Sequence, residues 1–443
     1  MNQSVPAVLL LATAVAAQGY PYQVTDLGAL PNRTSSVARG MSRGRWEEGV
    51  GMRELLPLAG YSRAYGYDVN DAGLVCGQAG LEVTGPQPAR AVLWDPSGAV
   101  TNLGTIGGGR FSMAHAINAL GLVAGTSETL PTTTLWHAFV WDPVHAMVDL
   151  MPGAPDHHAY GMNDLGQVVG YAATSPWRYT PGAGVQYLGV PAGFTYGSAF
   201  AINAAGQVCA SVTSASGSTE RHARWTDGVG WQVLGGGGQH NTPTGINSFG
   251  QVVGASTNAP RAPLFTDGLG LQDLNLLVDP AGAWFILQGY DINDRGQISG
   301  HAFSNVLAET RAVRLDPRFV NVLGAGCANA AGRAPKLWVA GMPRAQETIV
   351  IQVAEAAPAA LAAVVLSGAP AVSPFPGGCT VLVALPELAS VLLGTSAIGQ
   401  ARLAVVLPPG LAGSTLFLQA AVLDATSPNG VATLSNAVSM QLQ

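Results

Sequence analysis

Residues able to bind a cation are concentrated in the stretch GYDINDRGQISG, residues 289–300, where Asp291, Asn293 and Asp294 lie close together. A calcium loop needs roughly six to eight oxygen ligands, usually including a distal bidentate carboxylate. No acid follows Asp294 within this stretch. Asn-Asp-x-Gly between apolar segments is typical of a tight hairpin, because Asn and Asp bond nearby backbone groups and Gly accepts a positive φ. The stretch therefore predicts a turn rather than a metal site.

The histidines give weaker signals for chemistry. His157 and His158 follow Asp156 and could bind a metal, but adjacent strand residues point to opposite faces, so a solvated loop is the favoured interpretation. His137 and His222 share a column with arginines of other repeats, which indicates hydrogen bonding rather than catalysis. No metalloprotease, nucleotide-binding or nucleophile-elbow motif is present. The sequence thus predicts no catalytic or metal-binding residue, although carboxylate pairs of glycoside hydrolases are recognisable only in space.

The turn motif is repeated along the chain. Consecutive copies are 40 to 48 residues apart, a period typical of four-stranded propeller blades. The residues predicted to form the structural turns are Asn70 and Gly73, Asn118 and Gly121, Asn163 and Gly166, Asn203 and Gly206, Asn247 and Gly250, and Asn293 and Gly296.

Two further segments recur between the turns. One is an aromatic strand, as in RAVLWDP (90–96) and HAFVWDP (137–143), and the other follows it, as in GVQYLGV (184–190). Alternating apolar positions bounded by Gly, Pro, Asn and Asp indicate short strands. Each unit is therefore predicted as an aromatic strand, a turn, a second strand, a longer loop, a third strand, the tight turn and a fourth strand.

The two ends of the repeat region are complementary. RAVRLDP (311–317) matches a first strand with no second strand after it, and YQVTDLGALP (22–31) matches a second strand with no first strand before it. A blade assembled from both ends would close the array and leave no open sheet edge. Counting from a degenerate unit around Trp46 predicts seven blades, with six as the alternative. The predicted fold class is an all-β propeller followed by a small β-sandwich.

The repeat resembles a known family in several registers. HAFVW (137–141), NLGTIGG (102–108) and the recurring Ile-Asn-x-x-Gly-x-Val-x-Gly signature resemble the HAF-family extracellular repeat of secreted bacterial proteins. The likeness covers residues 22 to about 317. It implies export and a repeat β fold, and no activity, ligand or functional residue. The first unit and the strands SPWRYTP (175–181) and APLFTDG (262–268) depart from its pattern.

The composition changes near residue 319. Short apolar segments separated by Gly and Pro then predict a β-sandwich. The predicted domains are a signal peptide at 1–18, the propeller at 19–318 and the sandwich at 319–443. GAGC, GGC and LSNAV in the last domain look similar to a C-terminal appendage of secreted planctomycete-type proteins.

The four cysteines form two groups. Cys76 and Cys209 occupy the same position in non-adjacent units, which is too far apart for a disulfide, and are predicted to be buried thiols. Cys327 and Cys379 are the only cysteines of the second domain. An exported chain favours a structural disulfide between them, with two separate thiols as the alternative.

Charge and targeting signals restrict the partners. Charged residues make up 10% of the 443 residues and the net charge is -6, with no basic run, so neither nucleic acid nor an anionic membrane is expected. The apolar run 5–17 is too short to span a bilayer and ends in small residues, as in a signal peptide. No later segment has the roughly 18 apolar residues of a membrane anchor. A secreted, periplasmic or surface location in a bacterium is expected.

Two classes of function fit these observations. The first is a non-catalytic binding or surface-interaction protein that uses propeller loops, without a cofactor, to contact an extracellular polysaccharide or a surface protein. The alternative is a propeller hydrolase or lyase, which a group of Asp, Glu or His at the channel mouth would favour. The candidate contacts are the loop aromatics Phe111, Phe194, Tyr196, Trp284 and Phe285.

Overall fold

The computed structural model describes residues 20–29, 44–47, 50–81, 88–130, 135–217, 219–236, 241–258, 260–376, 379–385 and 387–443. The predicted signal peptide, residues 1–18, lies outside the described residues. Among those described, no helix has the length and apolar character that a membrane crossing requires.

Within these residues, six antiparallel four-stranded sheets follow one another as the blades of a propeller. Each blade begins with the strand before a repeat asparagine, and that strand lines the central channel. From the channel outward, the strands are Arg63–Val69, Val75–Gly80, Arg90–Trp94 and Val100–Gly104 (blade 1); Ser112–Ile117, Val123–Glu128, Trp136–Asp142 and Ala146–Asp149 (blade 2); His157–Met162, Val168–Ala172, Ser175–Thr180 and Gly184–Tyr187 (blade 3); Phe194–Ile202, Val208–Ser214, Glu220–Thr226 and Gly230–Gly235 (blade 4); Thr242–Ile246, Val252–Ala255, Pro263–Thr266 and Gly270–Asp273 (blade 5); Trp284–Ile292, Ile298–Ser304, Glu309–Pro317 and Tyr22–Asp26 (blade 6).

Among the described residues, helical structure is confined to three short elements in two connections. A 3₁₀ turn, Ile106–Gly108, joins blades 1 and 2. The connection between blades 5 and 6 contains the single-turn helix Leu274–Leu277 and a second 3₁₀ turn, Pro280–Gly282. Asp273 caps the first of these by accepting a hydrogen bond from the Asn275 backbone N–H.

The predicted closure by both chain ends is confirmed. Tyr22–Asp26 pairs antiparallel with Glu309–Pro317, so that Tyr22 faces Pro317 and Asp26 faces Val313. The edge that the sixth blade would otherwise expose is therefore covered by the N-terminal strand.

The predicted number of blades is not decided by the described residues. A two-stranded sheet, Gly44–Glu47 with Gly51–Glu54, lies before blade 1. Leu55, which follows this hairpin, packs with Val75 and Trp94 of blade 1. The segment 30–43, which would supply the remaining strands of a seventh blade, lies outside the described residues.

The prediction that each unit begins with the aromatic strand was wrong. The aromatic strand pairs with the fourth strand of the preceding unit, as Trp94 pairs with Val75. Each sheet therefore combines the third and fourth strands of one sequence unit with the first and second strands of the next. The repeat fixes the period, but only pairing shows where a sheet begins.

Apolar side chains between neighbouring sheets form the propeller core. Trp94, Phe139 and Trp177, one from each of blades 1 to 3, have no exposed surface. Successive clusters join blade 1 to 2, 2 to 3, 3 to 4, 4 to 5 and 5 to 6. Cys76 and Cys209 are fully buried members of two of these clusters, as predicted for buried thiols.

The C-terminal region forms a β-sandwich. One sheet has five strands in the order Val320–Leu323, Ala432–Gln441, Thr415–Leu423, Leu361–Ser367 and Ala389–Gly394. The other sheets are Lys336–Ala340, Thr348–Ala354 and Ala401–Val406, and the pair Pro370–Phe375 with Cys379–Val383. Leu337, Ile349, Leu418 and Met440 belong to one core drawn from both larger sheets. A disulfide joins Cys327 to Cys379.

The sandwich docks on the turn face of blades 4 to 6. Lys336 of the sandwich forms ion pairs with Asp294 of the blade 6 turn at 2.5 Å and with Glu355 at 2.6 Å. Arg402 pairs with Asp267 of blade 5, and Gln400 donates to Gln207 of blade 4. Charged and polar bonds thus connect the two domains at three blades.

Candidate functional site

The repeat asparagines lie in the turns that the sequence predicts. In blade 1, the Asn70 backbone N–H donates to the Leu74 carbonyl, and the Leu74 N–H donates to Asn70 Oδ1 at 3.0 Å. Gly73, three residues after Asn70, has a φ of 75°. The other five turns share this geometry, and their glycines also have positive φ.

Each asparagine also connects its blade to the next one. Asn203 Nδ2 donates to the Asn247 carbonyl at 2.9 Å, and Asn247 Nδ2 donates to the Asn293 carbonyl at 3.2 Å. The same type of bond joins Asn70 to Asn118, Asn118 to Asn163, and Asn163 to Asn203. The asparagines therefore form a ladder from blade 1 to blade 6 around the channel.

The acid that follows the asparagine in some turns strengthens this connection. Asp164 accepts the Ala119 N–H of the preceding blade at 2.8 Å. Asp294 accepts the Ser248 N–H of the preceding blade at 2.8 Å. These carboxylates hold neighbouring blades together, which explains why Asn-Asp turns look like cation loops in the sequence.

A β-bulge occurs at the same place in all six inner strands. The register shifts by one residue three positions before each asparagine, as between Ala114 and Ala116 in blade 2 or Ala159 and Gly161 in blade 3. A bulge leaves one residue unpaired and re-aims its side chain. The unpaired residues are Tyr67, His115, Tyr160, Phe200, Thr244 and Tyr290, and all of them line the channel.

Five of these six bulge residues carry rings, which we call the aromatic collar: Tyr67, His115, Tyr160, Phe200 and Tyr290. Ring centroids of Tyr67 and His115 are 5.3 Å apart, those of His115 and Tyr160 5.1 Å, and those of Tyr160 and Phe200 5.4 Å. The collar rings are all half-buried. They form a continuous aromatic wall along the channel from blade 1 to blade 4.

A second group of rings continues this wall toward the opposite face. We call it the outer ring group: Phe111, Trp136, His158, Tyr171 and Tyr196. His158 stacks on Tyr171 with centroids 4.9 Å apart, and Tyr171 meets the edge of Tyr196 at 6.1 Å. Tyr160 joins the group to the collar, since its ring lies 6.0 Å from that of Tyr171. Nine half-buried rings are thus in one connected surface.

Burial governs the ionisation of the tyrosines that join the two groups. It raises the pKa of Tyr160 well above the usual value, with the neighbouring Tyr171 adding to the shift. Burial also raises the pKa of Tyr171, with Tyr196 contributing. Both hydroxyls remain protonated around neutral pH, so they can donate hydrogen bonds to an oxygen-rich ligand.

The channel opens at the turn face into a cavity of about 1060 Å³. Carboxylates do gather at this mouth: Asp68, Asp71, Asp164, Asp291, Asp294 and Glu355 line the cavity. Asp68 accepts the Ile117 N–H of the next blade at 2.9 Å, and Asp164 and Asp294 form the bonds between blades described above. Three of these six acids therefore serve the assembly of the blades.

The predicted loop aromatics are only partly brought together. Phe111 and Tyr196 lie at the two ends of the outer ring group. Trp284 packs against the core between blades 5 and 6, and Phe285 lies under the Arg261 guanidinium at 5.9 Å. Phe194 is half-buried at the start of the blade 4 inner strand.

Two interpretations of histidines were wrong. His157 is not in a solvated loop: it begins the inner strand of blade 3 and has no exposed surface. His222 does not occupy the position of His137, as the sequence alignment had assumed. Ala210 and Gly125 are equivalent residues of two repeats, and they pair with Ala223 and Phe139 respectively. His137 lies two residues before Phe139, whereas His222 lies only one residue before Ala223. Arg221 is the true counterpart of His137. A shift of one residue in a strand moves a side chain to the other face of the sheet.

The collar is what the sequence interpretation missed. Its signal is present as a column of Tyr, His, Tyr, Phe, Thr and Tyr three residues before each asparagine. An alternating pattern assigns these residues to one face of a regular strand. The bulge redirects them into the channel, and a bulge has no reliable sequence signature when its residues are not glycine.

Comparisons with known proteins add little to this geometry. No protein-family model matches the chain, and no curated protein matches it. Among solved structures, a Bombyx mori GH32 beta-fructofuranosidase is similar at 8% identity and a TM-score of 0.24, covering 85% of this chain and 90% of that one. A sucrose complex of a variant of that enzyme has a TM-score of 0.20 with the same identity and coverage. At these scores the likeness bears on neither activity nor ligand.

Proposed function

We propose that this protein is a non-catalytic binding protein whose aromatic collar and outer ring group contact a neutral polysaccharide. The observation that carries the proposal is the connected surface of nine half-buried rings, four of which line the channel. Aromatic faces pack against the CH-bearing faces of sugar rings, while a few polar groups fix orientation. The cavity supplies such groups in the protonated Tyr160 hydroxyl and the mouth carboxylates.

A neutral glycan fits better than an acidic one. The net charge of the chain is -6, and six carboxylates line the cavity against the two cations Arg333 and Lys336. Lys336 is already paired with Asp294 and Glu355. An anionic polymer would therefore be repelled at the mouth.

The proposed site of action is outside the cytoplasm. The disulfide between Cys327 and Cys379 supports this, because disulfides persist in oxidising compartments. The predicted signal peptide agrees with it.

Affinity electrophoresis of the full chain in neutral and acidic polysaccharides tests the binding function. We expect a neutral polymer to retard the wild type. The affinity for that polymer should fall roughly 10-fold or more in Tyr160→Ala and Tyr171→Ala, since each variant lacks a central ring. Tyr187→Ala is the control, because Tyr187 is 56% exposed on an outer strand away from the channel. Retardation by no polymer, or equal binding by all variants, would reject the proposal.

A propeller hydrolase or lyase is the second candidate. The observation in its favour is the group of carboxylates at the mouth, of which Asp71 is exposed and Asp291 lines the cavity beside the collar. Glycoside hydrolysis needs two carboxyl groups on either side of the scissile bond. Release of reducing ends or unsaturated products from a bound polymer, lost in Asp71→Asn or Asp291→Asn, would favour the enzyme over the binding protein.

A further inference from the structure

A second group of side chains lies between blades 2 and 3, away from the channel surface. His137 lies on the third strand of blade 2 and Asp149 ends the fourth strand. Asp149 pairs directly with Phe139, two residues from His137, so the two side chains are diagonal neighbours on one face. His157 begins the inner strand of blade 3, which packs on that face of blade 2.

The three side chains point at one another. His137 Nδ1 lies 2.7 Å from Asp149 Oδ2, and His157 Nε2 lies 3.7 Å from Asp149 Oδ1. One donor atom from each residue lies within 4.8 Å of the other two. The rings of His137 and His157 have centroids only 4.4 Å apart.

His157 carries a buried nitrogen with no hydrogen-bond partner. Its Nδ1 hydrogen-bonds the Pro155 carbonyl at 2.7 Å, and because a carbonyl only accepts, Nδ1 must hold the proton. Nε2 is then an acceptor lone pair on a ring with no exposed surface, and it has no hydrogen-bond partner. Its neighbour at 3.7 Å is a carboxylate oxygen, too distant for a hydrogen bond and an acceptor itself.

A cation between the His157 Nε2 lone pair and the Asp149 carboxylate oxygen would satisfy both atoms. A metal-binding imidazole typically donates its other N–H to a backbone carbonyl, as His157 does to Pro155. We propose that His137, Asp149 and His157 bind a divalent transition metal ion, with Zn²⁺ as the preferred ion.

The donor set and spacing suit that ion. Two imidazole nitrogens and one carboxylate oxygen are typical Zn²⁺ ligands, and tetrahedral coordination at about 2.1 Å places ligand atoms roughly 3.4 Å apart. The 3.7 Å separation is close to this value, and the 2.7 Å contact between His137 Nδ1 and Asp149 Oδ2 is a hydrogen bond that the ion would replace. Asp149 keeps 18% side-chain exposure, which leaves a route for the ion and a fourth position for water.

Within the described residues, no other blade junction brings such a group of ligand side chains together. In blade 1, the residues at the positions of His137, Asp149 and His157 are Arg90, Asn102 and Ser112. There the Ser112 hydroxyl accepts the Ala91 N–H at 2.9 Å and donates to the Gly104 carbonyl. Hydrogen bonds alone complete that junction, whereas the blade 2 to 3 junction leaves a lone pair for a metal, which would join the two blades.

Equilibrium dialysis of the chelator-treated full chain against Zn²⁺ tests the site directly. We expect one tightly bound equivalent in the wild type, none in His157→Gln or Asp149→Asn, and an increase in Tm of several degrees on loading the wild type only. His222→Gln and His145→Gln are controls, since His222 is a buried histidine of blade 4 and His145 an exposed one beside Asp142. Both control variants should still bind one equivalent of Zn²⁺.

The absorption of Co²⁺ bound in place of Zn²⁺ provides a second measurement on wild-type protein. We expect d–d bands typical of tetrahedral nitrogen and oxygen ligands, which do not depend on whether a variant folds. Failure of the wild type to bind either ion, or full binding by a folded His157→Gln variant, would overturn the metal site. Neither result would alter polysaccharide binding at the collar.

Discussion

At the scale of single residues, the repeat asparagine combines a turn function with an assembly function. The side chain of Asn203 accepts the N–H groups of Ala205 and Gln207 within its own turn. Its Nδ2 group donates to Gln207 Oε1 and to the Asn247 carbonyl of the next blade. A small side chain with both donors and an acceptor is required, because a carboxylate in this place could not donate.

Replacement of Asn203 by Ala should cost more stability than replacement of Asn293. Asn203 is buried and bonded across blades, whereas the bonds described for the exposed Asn293 side chain stay within its own turn. We expect a loss of roughly 2–3 kcal/mol for Asn203→Ala and about 1 kcal/mol for Asn293→Ala. Urea unfolding of both variants measures the difference, and equal losses would contradict the role in assembly.

His222 should make the protein sensitive to mild acid. Burial lowers its pKa to about 4 in the folded state, against about 6.5 when unfolded. The folded chain therefore binds this proton more weakly, so stability is complete above pH 6.5 and is lost as the pH falls toward 4. The loss should reach at most about 3 kcal/mol.

The His222→Gln variant isolates this effect. An amide keeps a donor for the Ala255 carbonyl, which His222 Nε2 approaches at 3.4 Å, but it cannot take up a proton. The difference in unfolding free energy between the wild type and the variant should change between pH 6.5 and 4. A difference that is constant with pH would show that His222 is not the responsible group.

At the scale of elements, the bulge in each inner strand explains the last glycine of the repeat signature. The bulged strand brings a carbonyl oxygen so close that a Cβ on Gly125 would lie 2.0 Å from the Met113 oxygen. The same carbonyl approach occurs at Gly170 from His158. Five of the six blades therefore have glycine at this position beside the bulge, and blade 4 has the small residue Ala210 there.

The N-terminal strand should be needed for a stable propeller. Deleting Tyr20–Asp26 exposes the whole edge of Glu309–Pro317 and removes the buried Tyr22, so we expect a lower urea midpoint and association through the free edge. Thr25→Ala is the matched control, because it removes only the hydrogen bond to Asp316 and should cost about 1 kcal/mol. A monomeric deletion variant with an unchanged midpoint would contradict this role.

At the scale of the whole molecule, a buried carboxylate couples the two domains. Asp267 of blade 5 accepts two hydrogen bonds of 2.9 Å from Nη2 of the Arg224 guanidinium and pairs with Arg402 of the sandwich. The preceding blade has the same arrangement between Arg178 and Asp227, with no sandwich residue described there. A pairing that normally joins neighbouring blades is thus extended to hold the second domain.

Asp267→Asn should loosen the sandwich from the propeller. It leaves Arg224 without a counter-charge in a buried place, and we expect a loss of roughly 3 kcal/mol and two separate calorimetric transitions. Asp227→Asn is the control, since Asp227 is 49% exposed and should cost under about 1 kcal/mol. If both variants unfold alike in one transition, the docking does not depend on Asp267.

The sequence by itself determined the features that depend on local chemistry and on period. Tight turns need Asn and Gly at fixed spacing, so the six turns, the all-β class and the complementary chain ends could all be inferred from residue types. The secretion signal and the HAF-family resemblance stay predictions.

The tertiary structure decided which side chains meet. The phase of the strands, the shift of His222 by one residue, the collar and the cluster of His137 with His157 all depend on pairing and on bulges. These are properties of contacts between segments far apart in the chain, and a displacement of one residue reverses the face that a side chain occupies. Local patterns carry no information on that displacement, which is why the aromatic surface and the histidine site became visible only in the folded molecule.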